Sequence, residues 1–216
     1  MKRARLLFAV AALMVTACTP LATGEQVKSA PSYNELLARA KRGDRDLDYQ
    51  ALRYAYAGSP GYDPYGGSLR ALKTAMGKAY REKDCLRVTG EAAKILEIDY
   101  VDIDAHMLAD LCFRQLGDTA RAEFHRAEAR GLMRSILQSG DGKSPENAFV
   151  VIAVDEEYSL IGAMGLKVQK QSLVNQDGHA YDRMDVTGAD ADKAGVLFFN
   201  VDRPLSWMDE QFKKKK

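Results

Sequence analysis

The stretch Ser139-Gly140-Asp141-Gly142-Lys143-Ser144, continuing through Ala148-Phe149-Val150-Val151-Ile152 to Asp155-Glu156-Glu157-Tyr158, divides two differently patterned halves of the chain. Before it, apolar residues recur at helical spacing. After it, β-branched and alternating runs are separated by turn formers. Phe149 to Val154 is a continuous apolar run, the pattern of a buried strand. Asp155 then reads as an N-cap, with Glu156 and Glu157 in the first turn, where the helix dipole favours acids. Tyr158, Ile161 and Met164 give that short helix an apolar face, and Gly165 ends it.

Upstream, a long helix is expected from Asp118 to about Gln138, with Gly140 as its C-terminal cap. Ala129, Leu132, Met133, Ile136 and Leu137 keep one side apolar to its end, so the strands that follow are expected to cover that stripe. From Ser68 an internal repeat appears. A shift of 34 positions, the tetratricopeptide period, lays Ala71 on Ala105, Ala75 on Ala109, Asp84 on Asp118 and Ala93 on Ala127. Each unit reads as helix, aspartate-capped turn, helix, and the small residues at close-packing positions resemble tetratricopeptide repeats. Leu72 meeting His106 and Met76 meeting Asp110 make the repeat degenerate. Further upstream, Ser32 caps one helix that stops at Gly43, and a second follows Asp46 and stops at Gly58. Between this pair and the repeat lies Ser59-Pro60-Gly61-Tyr62-Asp63-Pro64-Tyr65-Gly66-Gly67, a turn-rich loop. Tyr62 and Tyr65 in it can present a sugar or peptide platform, or lock the loop onto the helices beneath, which is the commoner role.

Downstream, Lys167 to Val174 alternates as a half-exposed strand, and Asn175-Gln176-Asp177-Gly178 signals a hairpin. It leads into Tyr181 to Val186. A polar loop follows through Gly188, Asp190 and Asp192, and Val196 to Val201 is the last strand before Pro204. The expected fold class is α+β: tetratricopeptide-like helical hairpins packed on a small, mostly antiparallel sheet of about four strands with one short helix.

The N-terminus reads as a targeting segment. Lys2, Arg3 and Arg5 precede the apolar run Leu6 to Val15, which is short for a membrane-spanning helix. Val15-Thr16-Ala17-Cys18 resembles the bacterial lipobox, which implies cleavage before Cys18 and a lipid on that residue. Thr19, a non-acidic neighbour, implies sorting to the outer membrane with the protein facing the periplasm. The division expected is a signal over residues 1–17, a tether over 18–31, a helical region over 32–140, a strand-rich region over 141–205, and a short helix with a lysine tail over 206–216. The 31 basic and 30 acidic residues leave no basic excess, which argues against a nucleic-acid partner. Lys213 to Lys216 read as a solvated terminus. Once Cys18 is lipidated, Cys85 and Cys112 remain in an oxidising compartment. Their spacing leaves pairing between them open and suggests no metal.

Several pieces resemble, in order, a bacterial domain-of-unknown-function family, number 4919. They are Tyr49-Gln50-Ala51-Leu52-Arg53-Tyr54-Ala55-Tyr56, Tyr62-Asp63-Pro64-Tyr65-Gly66, His106, Gly117-Asp118, Ser139 to Ser144, Ala148 to Ile152, Glu156-Glu157-Tyr158 and Phe198-Phe199-Asn200-Val201. The resemblance implies a secreted or lipid-anchored protein and carries over no catalytic residue.

Among chemical motifs, Gly142-Lys143-Ser144 has the ending of a phosphate-binding loop. Leu137 stands where its first glycine belongs, and a helix leads into a strand, the reverse of the required order. Asp141 does not start a calcium loop, because Lys143 and Pro145 occupy ligand positions. Asp141, Asp155, Glu156 and Glu157 can converge as an acid–base pair or a metal cradle. Alternatively, Asp141 orders a turn while the others cap a helix, which the scarcity of histidine favours. His106 is expected to satisfy a neighbour within the helical packing, and His125 to line a groove or the surface. No cofactor, metal or catalytic residue is assigned. The expected role is binding of a protein or peptide partner at the cell envelope, with Tyr62, Tyr65, Asp141, Glu156 and Glu157 as candidate contacts. The alternative is an envelope hydrolase using acids from 141–158.

Overall fold

The computed structural model describes residues 30–188 and 194–214. The targeting segment, Cys18, the tether up to residue 29, the loop acids Asp190 and Asp192 and the last two lysines lie outside the described residues.

Six helices come first: α1 (Tyr33–Lys41), α2 (Tyr49–Ala57), α3 (Arg70–Arg81), α4 (Cys85–Ile98), α5 (Ile103–Gln115) and α6 (Thr119–Leu137). Their starts follow from side chains that satisfy otherwise unpaired backbone N–H groups. Ser32 and Glu35 form a reciprocal capping box at α1. Asp48, Asp84, Asp102 and Asp118 each accept from the backbone N–H three residues on. Asp84 and Asp118, which the shift of 34 superposes, therefore do the same work in α4 and α6. The second helix thus starts at Tyr49 after Asp48, slightly later than Asp46 suggests.

Of the alanines that the shift of 34 superposes, Ala105 and Ala109 are buried, Ala75 is half-buried, and Ala71, Ala93 and Ala127 are exposed. The residues packed at the crossings are instead Ala79, Val88, Ala92, Ala105, Ala109 and Ala122, in one apolar cluster with Ile95 and Met76. A disulfide joins Cys85 at the start of α4 to Cys112 in α5, with Cα atoms 4.9 Å apart, inside the usual range. A second cluster gathers Leu36 and Leu52 from α1 and α2 and Leu132 and Ile136 from α6 against the strand-rich half. That half, together with α2, covers Leu132 and Ile136 at the end of α6, while Leu137 stays exposed.

The sheet contains β1 (Phe149–Val150), β2 (Lys167–Gln176), β3 (His179–Thr187) and β4 (Gly195–Asn200) in the order β1-β4-β3-β2. Only β1 against β4 is parallel; the rest is antiparallel. The fold is α+β. The Asp177–Gly178 turn has φ of 53° and 82°, the left-handed pair a two-residue hairpin needs. A bulge between Val168 and Lys170 shifts the β2 register. It puts Val168 opposite Val186 and Leu173 opposite Asp182, on one face despite their odd spacing.

Some expectations need correction. The strand starting at Phe149 is two residues long; Val151 and Ile152 are buried outside it. Helix α7 (Val154–Ala163) has Ala153 at its N-cap with no side-chain cap, so Asp155 is in the first turn instead. The C-cap of α6 is Gln138, and Gly140 serves differently. A Cβ there would overlap the carbonyl oxygens of Asn147 and Ala148, and one on Gly142 would overlap the Phe149 ring. The chain folds back on itself at this point, and absent side chains permit it. The last helix, α8 (Asp202–Lys214), starts earlier than 206 and contains Lys213 and Lys214. Pro204 is in its first turn, where a missing N–H costs nothing.

Candidate functional site

The junction Ser139–Tyr158 is a stitched corner. Ser139 Oγ donates to the Ile136 carbonyl at 2.6 Å and accepts from Val150 N at 2.8 Å, joining the end of α6 to β1. Asp141 is exposed and orders the turn: Lys143 N donates to it at 3.0 Å. That bond and the Lys143 ammonium hold its carboxyl below the usual range. Gly142 O accepts from Phe198 N at 2.8 Å, which fastens the turn to β4. Asp141 is therefore a turn residue, away from the other acids.

Glu156 is committed to Arg53. The guanidinium, fully buried, donates to both carboxylate oxygens at 2.7 and 2.6 Å, to Ser135 Oγ and to the Val150 carbonyl, each at 3.0 Å. Glu156 also accepts from Ile152 N at 2.8 Å. This pair ties α2, α6, β1 and α7 together, and neither charge is left over for a ligand.

Beside it lies an acidic recess formed by Asp63, Asp99, Asp102, Asp104 and Asp155 around Lys73. Lys73 pairs with both Asp102 and Asp155. Burial opposes its charge, and the two carboxylates more than offset that. Burial, then Asp102, pushes Asp99 up to about 7. Ser159 donates to Asp104 at 2.7 Å. The enclosed space is about 20 Å³, room for a water molecule. Lys73 pairs with two of these acids, and backbone or hydroxyl donors bond the other three.

Of the loop tyrosines, Tyr62 is buried and donates its hydroxyl to the Ile152 carbonyl. It stacks edge-on against Tyr56 and Trp207, 5.9 and 6.5 Å away between ring centres. It locks the loop down. Tyr65 is 40% exposed and packs one side of its ring against Trp207 at 6.0 Å.

Tyr65 opens onto a different feature. Helices α7 and α8 both lie on the sheet face that carries Asp182, Met184 and Val186, and the gap between them is a groove of about 340 Å³. Its walls are Tyr65, Val154, Leu173, Leu205 and Met208, with Asp182 and Gln171 as polar members. Leu173 is 53% exposed. Asp182 faces Glu157 of α7. Glu157 is fully buried, and neither of its oxygens has a donor. The Asp182 carboxyl neighbours it, and a bond between them exists only while one of the two holds a proton. Burial first, then Asp182, raises Glu157 to about 9; burial raises Asp182 as well. At neutral pH Glu157 therefore holds its proton and shares it with Asp182. Gln171 orients the outer member, donating to Asp182 at 2.6 Å while accepting from the Tyr158 hydroxyl at 2.7 Å.

The structure thus brings Tyr65 and Glu157 to one place and keeps Tyr62, Asp141 and Glu156 as structural parts. The sequence alone does not single out Asp182 and Gln171. Ala180, Met184 and Val186 are buried at alternate positions of β3, and Asp182 shares their parity. An acid at an inward position was the available signal. Gln171 gave no signal, because its face is decided by the bulge.

His106 and His125 form a separate buried contact, Nδ1 to Nδ1 at 2.9 Å, with His106 Nε2 on the Tyr100 carbonyl at 3.0 Å. The carbonyl requires Nε2–H on His106, so its Nδ1 accepts from His125. Burial lowers both rings, to about 3 and about 4. They are neutral packing residues of α5 and α6.

Among the described residues, no group of three or more histidines, cysteines or acids is arranged to hold a metal ion. No described helix is long and apolar enough to cross a membrane. No curated protein and no solved structure matches the chain. Residues 25–210, most of the chain, match the domain of unknown function DUF4919, and the chain belongs to that family.

Proposed function

We propose that the chain is a lipoprotein of the outer membrane facing the periplasm, anchored through Cys18, that binds a peptide segment of an envelope partner in the groove between α7 and α8. The carrying observation is the groove itself: about 340 Å³ of apolar-walled space with one carboxyl pair at its side. That size and composition suit a ligand pocket. Half-exposed Tyr65 and Leu173 there offer rigid and apolar contact area. The helical hairpins, read as a short tetratricopeptide-like array, reach α7, one side of the groove, through α5. The lipobox-like Val15-Thr16-Ala17-Cys18 supports the anchor.

Site-specific crosslinking tests both parts in one preparation. Leu173 is replaced by a photoreactive phenylalanine analogue, with the same replacement at Leu86, 73% exposed on α4, as control. Adducts are expected from position 173 alone. Equal adducts from both positions, or none from 173, would refute the groove. The parent protein should sediment with membranes and Cys18→Ala should stay soluble; sedimentation of both would refute the lipid anchor.

Envelope hydrolysis is the second reading, favoured by one arrangement: the buried, undonated Glu157 neighbours Asp182 at the groove, and burial raises it as a general acid requires. Turnover of a bound peptide, lost in Asp182→Asn, would select it.

A further inference from the structure

Glu157 is the one carboxyl among the described residues with both oxygens buried and undonated. A fold has no use for such a group, and its burial works against stability. It neighbours Asp182, the acidic member of the groove lining. The groups acting on it are acids and phenols. Asp182 comes from β3, and Asp155 and Glu156 from α7. The phenols of Tyr65, from the loop, and Tyr158, from α7, feel it in turn. Asp209 of α8 adds negative charge at Tyr65. Arg53, the buried cation of this region, is spent on Glu156. The groove is therefore apolar along its length and negative at one side, with no internal cation to complete it.

We propose that the peptide enters this groove through a lysine or arginine side chain, whose cation docks on the Asp182 carboxyl beside the buried Glu157. This rests on the peptide-binding reading above and names the chemistry that the site selects. The apolar residues flanking the basic one lie against Tyr65, Leu173, Leu205 and Met208. Gln171 and Tyr158 hold the Asp182 carboxyl in place for the contact.

The charges balance. Before binding, Glu157 holds a proton that it shares with Asp182, and the ligand carries one positive charge. The cation favours ionisation of both carboxyls, so the proton passes from the pair to solvent and two negative charges face the ligand's one. No covalent bond forms or breaks. The requirement for a charged rather than neutral side chain follows, because only a cation offsets the repulsion between the two carboxylates.

The test is calorimetric titration of the full-length chain in detergent with acetyl-Leu-Lys-Leu-amide and acetyl-Leu-Gln-Leu-amide, in buffers of different ionisation enthalpy. At pH 7 the lysine peptide is expected to bind about tenfold tighter and to release about one proton per peptide. Asp182→Asn should abolish both the preference and the release. The proton count on the parent protein stands even if that variant fails to fold. Equal binding of the two peptides without proton release overturns the inference and leaves the groove a peptide site. Binding of neither at millimolar concentration overturns both.

Discussion

At the scale of single residues, Glu157 has a pH signature that can be read without any ligand. Its carboxyl ionises near 4.5 in the unfolded chain, and burial with Asp182 alongside raises it to about 9 in the fold. Below pH 4.5 both states hold the proton and the fold has its full stability from this group. Between 4.5 and 9 the unfolded chain has lost the proton and the fold has not, so stability declines as pH rises through that window. Asp182 is raised as well, so the decline belongs to the pair and not to one carboxyl. In Glu157→Gln the amide donates to Asp182 with no proton to lose. Urea unfolding should show the variant about 1–3 kcal/mol more stable than the parent at pH 8, with the gap closing toward pH 5. Parallel pH profiles in the two proteins would show that Glu157 is not held protonated. A substitution that stabilises the fold while removing the proposed docking pair is the pattern expected of a residue kept for binding.

At the scale of elements, the Arg53–Glu156 pair decides how helices and sheet meet. It gathers α2, α6, β1 and α7 at one fully buried point. Arg53→Met keeps much of the side chain's volume but leaves Glu156 buried with only the Ile152 N–H as donor. The cost should be about 3–5 kcal/mol, and Arg53→Met with Glu156→Leu should recover much of it. A single-variant loss under 1 kcal/mol would mean that water reaches the site. These contacts also show what the sequence made legible. Caps and turns are local, so Ser32, Asp84, Asp118 and Asp177–Gly178 announced themselves. The junction was recognisable as a junction for the same reason. Arg53 and Glu156 are 103 positions apart, and nothing near either one marks the other. The two-residue β1 was overextended because Val151 and Ile152 are apolar for a different reason: they are core residues of an irregular segment. Of the candidate site, the sequence offers Tyr65 and Glu157 as candidates and does not offer Asp182. An inward-facing acid is visible only once the strand's parity is known, and the β2 bulge that completes the face cannot be read from alternation.

At the scale of the whole molecule, the core has two parts that meet along the helices. One cluster holds α3, α4, α5 and the start of α6; the other holds α1, α2, the end of α6 and the sheet. The Arg53–Glu156 point and the groove both belong to the second cluster, and the disulfide to the first. Cys85 and Cys112 close a loop with a sequence separation of 27, which on chain-entropy grounds stabilises the fold by about 3.5 kcal/mol. The crossings around it are made by alanines, which bury less apolar area each than the leucines and isoleucines of the second cluster. The covalent link therefore matters most where packing contributes least. Reduction should lower the stability of the α3–α6 array by about 2–4 kcal/mol while the second cluster, with its own larger side chains, retains its protection. Hydrogen exchange with and without reductant reads this directly. Faster exchange is expected in α4 and α5, with β3 and the sheet-facing end of α6 unchanged. Uniform acceleration across both clusters would instead show that the molecule opens as one cooperative unit, and that the groove loses its frame whenever the disulfide is reduced.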